Sequence, residues 1–151
     1  SDRDLCLALG AKAVVNHREE NWGQQVLVAT SGKKVDRVID VEFGANLPQI
    51  LGCIAPNGVI ATYSSTQVKT PSLPFLDMMY MDLTLRMVIV YAMPESAKQA
   101  AIAAISIALE QEQLEHRVAH VVPLEKISKA HELIEIGGFG GCVVVSMESS
   151  E

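Results

Sequence analysis

Two polar stretches of this 151-residue chain could do chemistry, and both are marked by position rather than by a catalytic signature. Asp40 comes near the end of an apolar β-type run, Val35 to Val41, and is followed by Glu42 and Gly44. Tyr63-Ser64-Ser65 stands at the end of the next such run, Val59 to Tyr63. In open α/β sheets, ligands gather at the carboxyl ends of strands. Two successive strand ends of this kind read either as one binding site or as the ordinary polarity of loops. No G-x-G-x-x-G follows a strand, and there is no P-loop, H-E-x-x-H or C-x-x-C. Gly137-Gly138-Phe139-Gly140-Gly141 is glycine-rich, but it follows a helical pattern and precedes a strand. A phosphate cradle needs the opposite order, a strand running into a helix N-terminus, so this stretch reads as a turn. His116 and His120 are four apart, which suits a metal on a helix. Their segment, Glu115 to Pro123, is β-branched and ends at a proline, so it reads as extended. With no third donor at useful spacing, no metal site is expected.

The elements that must position these residues alternate between two periods. Asp2 to Leu9 reads as a helix stopped by Gly10. Ala13-Val14-Val15 is a short strand, and Glu19 to Thr30 is a helix with Trp22, Val26 and Ala29 on one face. Val35 to Val41 is a strand. A helix from about Asn46 to Ile54 follows, with Pro48 near its first turn. Pro56-Asn57-Gly58 is a turn before the strand at Val59. Ser64 to Pro74 is a polar loop, and Phe75 to Met81 a short helix. Leu83 to Tyr91 is the longest β-type run in the chain. After Pro94 comes a long helix with Ile102, Ile105 and Leu109 on one face. Arg117 to Pro123 is extended, Glu125 to Ile136 is a helix, and Cys142 to Val145 is a last strand. Strand-helix-strand order implies parallel pairing with crossover helices. Continuous apolar runs such as Val38-Ile39 and Val88-Ile89-Val90 imply strands buried on both faces. The expected fold class is therefore α/β. Residues 1–92 form part of a doubly wound, Rossmann-like parallel sheet that lacks a glycine-rich first βαβ, and residues 93–151 form a separate helix and strand segment.

Composition narrows the function classes. With 49% hydrophobic and 20% charged residues the chain is globular, not disordered. Its net charge of −6, without a basic stripe, argues against nucleic acid and anionic lipid as partners. The apolar helical stretch from Ala100 to Leu109 is about half the length needed to cross a bilayer. Cys6, Cys53 and Cys142 are odd in number and far apart, which fits reduced thiols in the cytoplasm better than a disulfide framework. The first residues, Ser1-Asp2-Arg3-Asp4, include neither an initiator Met nor a signal peptide. The chain therefore reads as a processed or trimmed piece.

Five motifs together resemble one family. Leu9-Gly10-Ala11-Lys12-Ala13-Val14-Val15-Asn16-His17-Arg18-Glu19-Glu20 is similar to a stretch of the medium-chain dehydrogenases/reductases, in their quinone oxidoreductase branch. Val35 to Asp40 resembles that family's next strand, and Ala55-Pro56-Asn57-Gly58 with the strand after it resembles its following turn and strand. Ala119 to Ile127 and Ala130-His131-Glu132 resemble its C-terminal strand and helix. The match runs over essentially the whole chain. It implies the second half of a cofactor domain, followed by the segment that returns to a catalytic domain.

The resemblance also implies chemistry. The parent would be an NADPH-dependent oxidoreductase passing hydride to a quinone or an activated enone or carbonyl, with no catalytic acid or base evident here. His17 would flank the adenosine. Val41, Glu42, Phe43 and Gly44 would border the cofactor ribose and nicotinamide, although the family usually has a different sequence there. Tyr63, Ser64 and Ser65 would form the next cofactor-facing loop. Met87 and Val88 would present backbone to the nicotinamide. Ser1 and Arg3 would lie where residues that recognise the extra phosphate of NADPH often stand. The loop after Asp40 looks zinc-independent. The long run at residues 83–91, an edge strand, implies a homodimer joined there. The chain alone is expected to be inactive and to bind NADPH no more tightly than about millimolar, about 4 kcal/mol. The competing reading is a free-standing, non-catalytic α/β module with an interaction or regulatory role.

Overall fold

The computed structural model describes residues 2–147. They fall into two compact units, one running to Glu95 and one beginning at Ser96.

The chain opens with α1 (Asp2–Ala8), and Gly10 follows it with φ +101°. Ala13–Val15, expected as a strand, is irregular. It has no ladder partner among the described residues, and a lone strand leaves its backbone groups unpaired. The first unit is then built by α2 (Trp22–Ala29), β1 (Val35–Asp40), α3 (Phe43–Cys53), β2 (Ile54–Thr62), α4 (Phe75–Tyr80) and β3 (Thr84–Met87). The strands form one parallel sheet in the order β1-β2-β3. Register aligns Asp40 with Thr62, and Thr62 with Met87. The three carboxyl ends therefore finish side by side.

The core is the face of the sheet that packs on α3. Phe43, Leu47, Ile50, Ile54 and Ile60 form the buried cluster, with Trp22, Val38, Leu51 and Leu85 packed against it. Ile50, Ile54 and Ile60 have no exposed surface at all, and burial of each contributes about 1.5–3 kcal/mol. The opposite face differs from expectation. Val38 and Asp40 point inward, while Ile39 is 82% exposed because no described helix covers that side of β1.

Three boundaries also differ, each for a local reason. Helix α3 begins at Phe43 rather than near Asn46, so Pro48 lies inside it instead of in the first turn. The chain folds immediately after β1 because the Asp40 carboxylate accepts the Glu42 N–H at 3.1 Å, an Asx turn that leads straight into the helix. Pro56-Asn57-Gly58 is a bulge within β2, not a turn before it. The pairing steps from Val35↔Ile54 to Arg37↔Val59, and Asn57 takes a φ of +63°. The long run from Leu83 to Tyr91 yields only four strand residues. After Met87 the Val88 N–H still donates to the Thr62 carbonyl at 2.8 Å, but β2 ends there and leaves the later residues no partner. Val90–Ala92 turns into a single 3-10 turn.

The second unit holds α5 (Glu95–Glu110), then β4 (Val118–Pro123), α6 (Ile127–Ile136) and β5 (Cys142–Ser146). β4 and β5 pair in parallel, with α6 as the crossover, and Ala130 is its buried contact. His131 is exposed. The glycine-rich stretch is the turn into β5, and it is shaped by Arg117. A Cβ on Gly140 would lie 2.6 Å from the guanidinium, and one on Gly141 would lie 2.5 Å from the Arg117 carbonyl. Ile102, Ile105 and Leu109 do share a face of α5, but all three are exposed. No helix among the described residues is long and apolar enough to cross a membrane.

Candidate active site

The site is assembled by the loops that leave β1 and β2, which hydrogen-bond to each other. At the centre is Asp40, 5% exposed. One of its carboxylate oxygens accepts from Asn46 Nδ2 at 2.7 Å; the other accepts the Glu42 N–H and the Thr62 hydroxyl, the latter at 3.2 Å. A buried carboxylate is tolerated only when its lone pairs are satisfied in this way. The backbone continues the join, since Tyr63 N–H donates to the Asp40 carbonyl and Phe43 N–H to that of Ser64.

Further out, Glu42 reaches across to the second loop. Its carboxylate accepts from the Thr66 N–H at 3.0 Å, the Thr66 hydroxyl at 2.5 Å and the Gln67 N–H at 3.0 Å. The hydrogen bond from the Thr66 side chain, and then those from the Gln67 and Thr66 backbone, hold this carboxyl below its ordinary value against a small opposing effect of burial. Ser65 makes a third tie, its hydroxyl accepting from the Gly44 N–H at 2.9 Å and donating to the Val68 carbonyl at 2.6 Å. Gly44 is glycine because of that approach. A Cβ there would lie 2.5 Å from the Val68 carbonyl oxygen and 2.6 Å from Val68 Cβ.

Two hollows flank the joined loops. The larger, about 800 Å³, lies between the 17–20 segment and the end of β1; His17, Trp22, Ile39, Val41, Glu42 and Gln49 are among its walls. The smaller, about 260 Å³, opens at the ends of β2 and β3. Phe43, Thr62, Tyr63, Ser64, Ser65, Lys69, Pro71, Met87 and Val88 line it.

The structure thus divides the expected site residues. His17, Val41 and Glu42 face the first hollow. Phe43, Tyr63, Ser64, Ser65, Met87 and Val88 face the second, although the Phe43 side chain is also part of the core. Gly44 faces neither and serves as the contact point between the loops. Arg3 is exposed on α1 and lines neither hollow. Ser1 lies outside the described residues. Sequence reasoning missed Lys69, Pro71 and Thr62 as lining residues. Lys69 carried a signal, being the only charged residue between Ser64 and Pro74.

The residues suit an elongated, partly apolar ligand laid across parallel strand ends. Zinc is a poorer fit. No group of three His, Cys, Asp or Glu among the described residues could hold a metal ion. Cys53 is buried in the core, and burial pushes its thiol up, away from the thiolate a metal needs.

Residues 1–106 match the family described as zinc-binding dehydrogenase. Among curated proteins, the chain is 28% identical over 131 residues to a quinone oxidoreductase of Sus scrofa, covering 86% of this chain and 39% of that protein. Among solved structures it superposes on an NAD-dependent alcohol dehydrogenase at 27% identity, with a TM-score of 0.75 over 97% of this chain and 41% of the other. A mycobacterial protein solved with NADPH gives a TM-score of 0.75 at 20% identity, over 96% of this chain and 47% of that one. The chain thus spans well under half the length of these relatives.

Proposed function

The chain belongs to the zinc-binding dehydrogenase family, and from that premise we propose that it is the cofactor-binding portion of an NADPH-dependent oxidoreductase acting on a quinone or an activated enone. The observation that carries this reading is the alignment of Asp40, Thr62 and Met87 at one end of the parallel sheet, with a hollow opening beside them. The Sus scrofa quinone oxidoreductase supports the substrate class, and the mycobacterial neighbour supports the choice of cofactor.

In this reading the nicotinamide, when bound, supplies the hydride. The chain's own residues hold and screen it. Phe43, Pro71, Met87 and Val88 give the smaller hollow an apolar wall that limits water. The Tyr63, Ser64 and Ser65 segment offers polar groups along its rim. Asp40 is a positioning residue, since it fixes both loops through Asn46, Thr62 and the Glu42 backbone. The larger hollow, with His17 at its edge, is assigned to the adenosine end of the cofactor. Residues 1–92 are taken as the cofactor half and 93–151 as part of a catalytic domain. The protein is placed in the cytoplasm, in keeping with three free cysteines. It is taken to form a homodimer through residues 83–91, where β3 is an edge and Ile89, Val90 and Tyr91 are all more than half exposed.

The test is turnover by the full gene product, followed as loss of reduced nicotinamide absorbance with a benzoquinone acceptor. Tyr63→Ala should raise the KM for NADPH several-fold and leave the unfolding midpoint in place, as Tyr63 is 60% exposed. No NADPH-dependent quinone or enone reduction by that protein would overturn the proposal.

A further inference from the structure

The smaller hollow contains a charge that the cofactor reading does not use. Lys69 is the only charged side chain lining it, set among Phe43, Pro71, Met87 and Val88 and the hydroxyl groups of Thr62, Tyr63, Ser64 and Ser65. Among the described residues Lys69 has no ion pair and no hydrogen bond. The two acids nearest these loops in the chain are already committed. Asp40 accepts from Asn46, Thr62 and the Glu42 N–H, and Glu42 accepts from Thr66 and Gln67. Neither is left to neutralise the ammonium.

An apolar hollow bearing one uncompensated cation and several hydroxyl donors recognises an anionic group attached to a flat apolar body. A volume of about 260 Å³ is at the small end for ligand sites, which suits one ring or a short conjugated chain. We infer that Lys69 selects a small conjugated carboxylic acid, its carboxylate on the ammonium and its unsaturated carbons against Met87, Val88 and Phe43. Only the naming of this acid as substrate rests on the oxidoreductase reading; the binding preference stands by itself.

The experiment uses two ligands of one shape, cinnamate and cinnamamide, titrated into the purified chain and followed by amide chemical shifts. Cinnamate should bind about five-fold more tightly at low salt, the size expected of a partly exposed ion pair. Lys69→Met should bring the ratio to about one, and Lys69→Arg should keep it, with Trp22 fluorescence showing that both variants remain folded. Equal affinity for the two ligands in the unaltered chain, or a preference that survives Lys69→Met, would overturn the inference. Inorganic phosphate is the third probe. If millimolar phosphate displaces cinnamate in a Lys69-dependent way, the cation belongs to a cofactor phosphate and the carboxylate assignment is overturned. No turnover is read, so an absence of reductase activity leaves this result intact.

Discussion

Helix α3 contains a matched pair of glycines whose replacement by alanine should have opposite effects. Gly52 has nothing within 4 Å of the position a Cβ would take, and it is exposed near the end of the helix. Gly52→Ala therefore gains only helix propensity, about 0.5–1 kcal/mol. Gly44→Ala gains a similar amount in principle, but its Cβ would lie 2.5 Å from the Val68 carbonyl oxygen, 2.6 Å from Val68 Cβ and 2.9 Å from Ser65 Oγ. Ordinary contact needs separations of about 3.5 Å, so the 65–68 segment must withdraw by about 1 Å. Overpacking of this kind costs about 1–3 kcal/mol, and the Gly44 N–H to Ser65 hydrogen bond, worth about 1 kcal/mol, is stretched or lost with it. The net expectation is destabilisation by about 1–3 kcal/mol. Urea unfolding followed through Trp22, the single tryptophan, reports the first unit because Trp22 packs against its core. Gly44→Ala should lower the midpoint and shift the amide resonances of residues 64–68, and Gly52→Ala should raise the midpoint and leave those resonances alone. If Gly44→Ala is as stable as Gly52→Ala, the account of how the two loops meet is wrong.

Three further outcomes follow from the same contacts. The folded Glu42 carboxyl is held below its ordinary value of 4.5, so its contribution is present above that value and lost as the pH falls through the lowered one. The stability difference between the unaltered chain and Glu42→Gln should accordingly be present at neutral pH and vanish in acid; a difference that grows on acidification contradicts the assignment. Cys6 and Cys142 are exposed and should react promptly with a thiol reagent, whereas Cys53, buried and with its thiol pushed up, should react only as fast as the first unit opens. Three equally fast thiols would show that the core is not closed. The proposed dimer predicts that Ile89→Lys with Tyr91→Lys, both on the exposed run after β3, yields a monomer by light scattering. A monomeric parent, or a dimer indifferent to both charges, removes that surface from consideration.

The residues show where sequence reasoning reached and where it stopped. Period and composition identified Trp22, Val26 and Ala29 as one helix and Val38 as a buried strand residue, because those signals are local. The extent of Leu83 to Tyr91 was not local. A strand lasts only as long as its neighbour, and β2 ends at Thr62 opposite Met87. Ala13–Val15 illustrates the same dependence, as β-branched residues make a strand only where a ladder exists. Asp40 stood out as a polar residue at a strand end, but its three donors come from the helix and strand that follow, and no spacing rule names Asn46 or Thr62 as its partners. Lys69 was visible as a solitary charge in a polar loop. Its place beside Met87 and Val88 depended on β3 lying next to β2.

The loop between β2 and α4 is made of two lengths with different freedom to change. From Tyr63 to Val68 nearly every residue is fastened to the loop after β1, through Asp40, Glu42, Phe43 or Gly44. From Lys69 to Leu73, no hydrogen bond among the described residues holds the chain. Insertions and exchanges in the second length leave the joined loops untouched, while any in the first undo two loops at once. Selection or engineering can therefore reshape the mouth of the smaller hollow through residues 69–73 without disturbing the sheet behind it, so the rim can diverge quickly on an unchanging frame.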